Sequence, residues 1–370
     1  MFRTVKVRLL GNSAPLVATA KAFNEACQRV LDYGYRTRTY NKSKLNKATY
    51  HQIRSVSNLP SALVQTARDE ASEMLKRVKF KVKPEKKQLS IRYDGRTFKF
   101  YADSGYVSLT TVMGRLTYPF KKYAYMDRYR GEYTNAQLMI RHRVAFLNVQ
   151  VKLPDTPTLA KREPEVLGVD RGVLNIAACS DNSFFNSKKL RNVKGRFQHL
   201  KSKLQHLGTR SAKRKLKRLS GRERRFVRDV NHSVSKQIVK KPFNVVALEK
   251  LEVKKAKKNG RRFNLKLGNW SYGQLSTFIK YKAESLGKTV VEVNPKYTSQ
   301  MCSKCGYTSK SNRRGLTFTC QECRYELNAD LNAARNIAVL GMSEYGRLCV
   351  NEPNVASQDS YKPPNLLGGS

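Results

Sequence analysis

Residues 302–338, CSKCGYTSKSNRRGLTFTCQECRYELNADLNAARNIA, set four cysteines in two tight pairs directly ahead of an acidic residue. Cys302 and Cys305 form one Cys-x-x-Cys knuckle, and after fourteen intervening residues Cys320 and Cys323 form the second. Two intervening residues make a turn that aims both sulfurs at one point while backbone N–H groups face them. Four thiolates can then surround one tetrahedral ion, the donor set of a structural zinc site, and no coordination position is left open for catalysis. The gap is a residue short of the usual pattern of about 15–20, a difference well within the variation of ribbon loops. Cys27, Cys179 and Cys349 lie far apart and alone and read as ordinary core or surface residues. Without a secretion signal, a metal site accounts for the other four better than a disulfide framework. Beyond the ribbon, Asp330 opens a helical run in which Leu331, Ala334, Ile337 and Ala338 would pack on a sheet. An acid in a first helical turn also suits the helix dipole.

Two further acids stand in comparable settings. Asp170 ends the apolar run VLGV (166–169), and Gly172 permits a sharp return into VLNIAAC. Glu249 follows VVAL (245–248), at the end of what reads as a neighbouring buried strand. Each acid taken alone has an ordinary explanation: a turn residue, a solvated strand end, a helix cap. Taken together, carboxylates brought from distant points of the chain are what a two-metal phosphodiesterase needs, and their strand, strand, helix context matches an RNase H-like sheet.

Composition narrows the partner. The 370 residues include 73 Lys and Arg against 27 Asp and Glu, a formal charge of +46 that calls for a polyanion. A ribosomal protein or a membrane-surface binder would also be basic, but a hydrophobic content of 40% marks a folded chain and favours nucleic acid. The sequence has no uninterrupted apolar stretch of roughly 18 residues, and the opening MFRTVKVRLLG alternates apolar and basic residues, so the expectation is a soluble intracellular protein.

The first half begins with a half-buried strand, TVKVRLL, followed by two helical segments at 15–33 and 60–78. LSIRYDGRTFKFY reads as a hairpin turning at Asp94-Gly95, and VAFLNVQVKL as a further strand. A β domain interrupted by helices is the expected arrangement. The proline-rich stretch 154–166 marks a domain boundary. After it, residues 187–241 form a strongly basic helical stretch whose Leu200, Leu204, Leu207, Leu216, Leu219 and Phe226 leave one face for packing. KKAKKNGRR is a flexible basic loop that also resembles a nuclear localisation signal, 272–287 a helix ended by Gly287, KTVVEVNP a strand, and the tail from 351 disordered.

The combination of LGVDRGVLNIAA, VVALEKL, NPKYTSQMCSKCG and CQECRYELNADLNAARNIA resembles the TnpB family, compact RNA-guided nucleases encoded by insertion sequences and related to type V CRISPR effectors. RDVNHSVSKQIV and NWSYGQLSTFIKYKAESLGKTVVEV are similar to family segments as well, so that the resemblance covers residues 166–345. It implies an α/β RNase H-like (RuvC) nuclease domain over 166–295 and 328–348, with the zinc ribbon (296–327) inserted. Ahead of it would stand a β-barrel-like wedge domain (1–12 and 88–165) interrupted by a helical recognition domain (13–87); 349–370 would be a disordered tail. The acidic triad would be Asp170, Glu249 and Asp330, holding two Mg²⁺ ions, while Cys302, Cys305, Cys320 and Cys323 hold Zn²⁺. The family often carries a second Asp two residues before the last acid, where this chain has Asn328.

The implied partners are a guide RNA from the encoding element and a target DNA beside a short flanking motif, in the cytoplasm of a prokaryotic cell at its nucleoid. Sequence reading would then be delegated to base pairing. Lys217, Arg218, Arg224 and Arg225 are candidate phosphate contacts. Arg313 and Arg314 could reach the scissile phosphate, whereas Trp270 and Tyr272 read as core anchors and His232 as structural. A guided repressor with a dead nuclease, a compact CRISPR effector and a DNA-joining transposase are the competing functions. The presence of all three acids disfavours the repressor, and the ribbon disfavours the transposase.

Overall fold

The computed structural model describes residues 1–142, 144–154, 164–251, 260 and 272–351. Trp270, the stretch 154–166 through most of its length, nearly all of KKAKKNGRR and the tail beyond 351 lie outside the described residues, as do the side chains of Tyr272 and Cys349. The chain divides into two compact units, residues 1–155 and 156–370.

In the first unit, β1 (Phe2–Arg8) is followed by α1 (Ala14–Arg36), α2 (Lys42–Val56) and α3 (Ser61–Val78). Next come β2 (Ser90–Asp94), β3 (Phe98–Tyr101), β4 (Tyr106–Thr111), β5 (Gly114–Pro119), β6 (Glu132–Arg141) and β7 (Val144–Lys152). Helices and strands share one core, in which Leu16, Phe23, Leu63 and Leu75 meet Val5, Tyr93, Leu138 and Leu147. Each such fully buried aliphatic side chain contributes about 2 kcal/mol.

Two expectations change here. A third helix, α2, stands between the two anticipated; it buries only Leu45, Thr49 and Ile53, too sparse a stripe to register as periodicity. Its N-cap is Asn41, whose Oδ1 accepts from the amides of Ser43 and Lys44. The turn at Asp94-Gly95 exists, closed by Thr97 N donating to Asp94 O at 2.9 Å. It is nevertheless a corner and not a hairpin: β2 pairs with β6 in the sheet β1-β7-β6-β2, while β3 pairs with β4 in the sheet β3-β4-β5.

The second unit is α/β. Its sheet runs β10-β9-β8-β11-β12, built from β8 (Val166–Asp170), β9 (Asn175–Cys179), β10 (Phe184–Asn186), β11 (Val245–Glu249) and β12 (Thr289–Val293). β8, β11 and β12 are parallel; β9 runs antiparallel to β8, and β10 antiparallel to β9. α5 (Arg210–Lys240) and α6 (Tyr272–Glu284) cover one face, and α7 (Ala329–Asn351) covers the other.

Side-chain alternation along the strands decides where the acids point. In β11, Val246 and Leu248 join the core under α5 and α6, whereas Val245 and Ala247 join the core under α7. Glu249 shares their parity and so falls on the α7 side. In β8, Leu167 and Val169 face α5, which leaves Gly168 and Asp170 toward α7. Gly168 is there because no larger residue fits: a Cβ would lie 2.0 Å from the carbonyl oxygen of Ala334 on α7. Gly341 permits the same intimacy further along α7, where a Cβ would meet that of Ala247 at 2.4 Å.

The basic stretch 187–241 is two helices, α4 (Lys188–Leu207) and α5. Gly208 ends the first in the left-handed region at φ 62°, and Thr209 caps the second through Ala212 N. The apolar face anticipated for this stretch is displaced. α4 buries no residue and Leu207 is 65% exposed, whereas α5 buries Ala212 near its start and the stripe Val227, Asn231, Val234, Ser235, Ile238 and Val239 in its second half. Among the described residues no helix is long and apolar enough to cross a membrane.

Candidate metal centre and ribbon

Asp170 at the end of β8, Glu249 at the end of β11 and Asp330 in the first turn of α7 line one cleft of about 420 Å³. All three expected acids are therefore brought together. Asp330 is free to face the cleft because it does not cap its helix. Asn328 does so, its Oδ1 accepting from the amides of Asp330 and Leu331 at 3.0 and 3.3 Å. The residue that departs from the family pattern thus has a local role of its own.

Burial opposes ionisation of two of the three carboxylates. Burial, reinforced by the charges of Glu249 and Asp330, pushes Asp170 up to about 7 against the pull of Arg313 and Arg171. Burial also raises Glu249, although Thr298 and the two arginines act in the opposite direction. Asp330 is held at both oxygens: the Arg313 guanidinium donates to Oδ1 and Asn175 Nδ2 donates to Oδ2, each at 2.9 Å. Thr298 Oγ1 donates to Glu249 Oε1 at 2.6 Å, and the buried Arg171 guanidinium donates to the Glu249 carbonyl oxygen. Three acids from three elements on one cleft form a donor set suited to hard divalent cations.

The ribbon meets the geometric test for zinc. Its four sulfurs lie within 4.8 Å of one another, with Cys302–Cys323 at 3.8 Å and Cys305–Cys320 at 3.6 Å. Tetrahedral Zn–S bonds of about 2.3 Å imply S···S separations near 3.8 Å, whereas a disulfide would need about 2 Å. Backbone amides of Lys304 and Cys323 point at Cys302 and Cys320 Sγ. Burial opposes ionisation of Cys320, but the amides of Cys323 and Glu322 and the neighbouring thiols bring it down to about 7. The three short strands β13 (Arg313–Arg314), β14 (Thr317–Thr319) and β15 (Glu326–Asn328) complete the ribbon, and β15 runs straight into α7.

Of the basic candidates, Arg313 enters the cleft, while Arg314, Lys217, Arg218, Arg224 and Arg225 are exposed. His232 stacks on Phe278 at 3.9 Å between α5 and α6, and Cys27 and Cys179 are buried in the cores. Sequence reasoning missed Arg171, Asn175, Thr298, Asn332 and Asn336. All five stood inside the quoted motifs; Arg171 directly follows an acid and Thr298 lies four residues before a knuckle, and that nearness was the available signal.

Residues 148–260 match the family described as "Probable transposase" (OrfB of IS605), and residues 272–337 match the Cas12f1-like TNB domain. The CRISPR-associated endodeoxyribonuclease Cas12f1 of Sulfoacidibacillus thermotolerans is 52% identical over 81 residues, 22% of this chain and 18% of that protein. A TnpB-like protein of Methanocaldococcus jannaschii is 32% identical over 157 residues, 40% of this chain and 56% of that one. Over these matched segments the chain is similar to TnpB-like and Cas12f1-like proteins. It spans between 18% and 56% of the lengths of these two relatives. A solved Cas12f1–sgRNA–target DNA complex shares the fold with a TM-score of 0.64 at 15% identity, covering 91% of this chain and 98% of that one.

Proposed function

We propose that the protein is an RNA-guided DNA endonuclease whose RuvC-like centre is formed by Asp170, Glu249 and Asp330. The observation that carries this reading is the convergence of the three acids, one from each of two parallel strands and one from the helix covering them, on a single cleft. The strand order β10-β9-β8-β11-β12 supports an RNase H-like sheet. The same three acids would hold two Mg²⁺ ions. Divalent cations bound there supply an activated water and charge neutralisation at the scissile phosphate, giving 5′-phosphate and 3′-hydroxyl ends.

The chain's own groups prepare that chemistry. Thr298 orients one oxygen of Glu249, Arg171 holds the backbone at the end of β11, and Asn175 and Arg313 orient the carboxylate of Asp330. Arg313 is also the cation positioned to meet a phosphate entering the cleft. Zn²⁺ on Cys302, Cys305, Cys320 and Cys323 would be structural. The charge of +46, including the exposed Lys217, Arg218, Arg224 and Arg225, suits a guide RNA and its target duplex.

The test is to express the chain with its native flanking DNA and sequence the RNA that co-purifies. One discrete species, a structured scaffold ending in a variable guide, supports the proposal and supplies the reagent for Mg²⁺-dependent cleavage of a matched DNA. If that RNA derives from a repeat–spacer array instead of the flanking element, the chain is a compact CRISPR effector with the same chemistry, a reading favoured by the 52% match. Heterogeneous cellular RNA contradicts guidance altogether.

A further inference from the structure

The turn that leads from β12 into the ribbon is tied to both sides of the acid cleft. Thr298, 2% exposed, gives its hydroxyl to Glu249 Oε1 at 2.6 Å. That hydroxyl also lies 3.0 Å from the Pro295 carbonyl, but it has one proton, and the shorter, charge-assisted contact is the stronger. The Thr298 carbonyl in turn accepts from Asn336 Nδ2 at 2.8 Å. Asn336 and Asn332 both donate to Met301 O at 2.7 Å, and Asn332 Oδ1 accepts from Ser303 N at 3.0 Å. Asn332 and Asn336, one turn apart on α7, are 0% and 2% exposed. The helix that carries Asp330 therefore grips residues 298–303, and that segment holds Glu249 before it enters the Cys302 knuckle.

A threonine explained by packing alone would have no need of a carboxylate partner, and a buried asparagine in a helix interior is costly unless its amide is satisfied. Here the Asn332 and Asn336 amide nitrogens end on the turn, and the Thr298 hydroxyl ends on Glu249. Resting on the reading of the acids as a divalent-cation centre, we propose that Thr298 is a positioning residue. Its hydroxyl fixes the Glu249 carboxylate relative to Asp330, through a frame that Asn332 and Asn336 clamp to α7. A carboxylate so fixed binds a cation without first being ordered, and loss of such an outer partner typically weakens metal affinity about 10–100-fold.

The probe is Mn²⁺, titrated into the zinc-loaded full chain at fixed pH and followed by the electron paramagnetic resonance signal of the free ion. Wild type, Thr298→Val, Thr298→Ser and Glu249→Gln are compared, each checked for a cooperative thermal melt. Expected is an affinity at least about 10-fold weaker in Thr298→Val, with Thr298→Ser, which keeps the hydroxyl, close to wild type. Should Thr298→Val fail to melt cooperatively, Thr298→Ala gives the same readout without the added methyl. If Glu249→Gln weakens binding while the hydroxyl-free variants match wild type, the positioning role is overturned and the metal centre stands. Equal loss in Thr298→Ser and Thr298→Val also overturns it, since packing would then be the cause. Unchanged binding in Glu249→Gln overturns the metal centre itself.

Discussion

The second unit contains two candidate ion-binding clusters built on opposite plans. The ribbon gathers its four donors from 22 residues of chain, two to a knuckle, and closes a tetrahedron around one position. The acid cleft draws three donors from β8, β11 and α7, and they line a cleft of about 420 Å³ without closing it around one position. Local donors with matched geometry suit a metal that holds structure; distant donors on a rigid sheet suit a metal that must also admit substrate. The two sites meet at the segment from Thr298 to Met301, where α7 grips the entry to the ribbon. That shared element is why an inserted ribbon can return directly onto a helix carrying an acid.

The largest effect should come from the open site. Replacing Asp170, Glu249 or Asp330 singly with Ala removes several kcal/mol of transition-state charge stabilisation, so target cleavage should fall by about 10³-fold or more. RNA binding, measured by filter retention, should stay within about 2-fold because the acids are not cationic phosphate contacts. Full cleavage by all three variants would remove the distinction between the sites.

The closed site should respond in stability. Cys305→Ser or Cys320→Ser should release one equivalent of zinc per chain, read by atomic absorption, since structural zinc supplies binding energy of about 10–16 kcal/mol in zinc-finger peptides and loss of one thiolate forfeits much of it. Limited proteolysis should then cut first within 296–327 while the strands β8, β11 and β12 stay protected. Zinc retained at wild-type stoichiometry would contradict the assignment.

The helix-to-sheet contact that brings Asp330 to the strand ends should tolerate no side chain. Gly168→Ala should destabilise the protein by about 1–3 kcal/mol or more, visible as a lowered melting temperature, because the added methyl meets the Ala334 carbonyl. The exposed Gly195, with open space around it, should accept Ala without loss.

A smaller effect follows from Asp170. Its folded-state value of about 7 lies above the ordinary 3.8, so the folded chain keeps a proton that the unfolded chain releases between those values. This group's contribution to the stability of the metal-free protein is therefore greatest below pH 4, declines across pH 4–7 and is level above it. Asp170→Asn should flatten that part of the profile of melting temperature against pH, and an unchanged profile would mean that the site's charge is relieved in some other way.

Both sites were legible in the sequence at different depths. The thiol spacing is local and chemical, so the cysteines could be read directly, and Asp170 and Glu249 stood out because each interrupts an apolar strand at its end. Asn332 and Asn336 left no such trace, because their partners are backbone groups supplied by folding and polar residues at helical spacing read as solvated, and Thr298 offered only its nearness to the Cys302 knuckle. Gly168 and Gly341 could not be distinguished from turn glycines until the approach of α7 was known. The break at Gly208-Thr209 carried a stop and a cap signal, yet the continuous basic charge on either side obscured it. Leucines at 200 and 207 looked like a packing face because periodicity reports amphipathicity and not what lies opposite.

The contrast between the sites is tested most directly by crystals of the zinc-loaded chain soaked in Mn²⁺, with anomalous maps at the zinc and manganese edges. The account predicts one zinc peak about 2.3 Å from all four ribbon sulfurs and manganese only in the cleft between Asp170, Glu249 and Asp330. Manganese at the ribbon, or none at the acids, would contradict it.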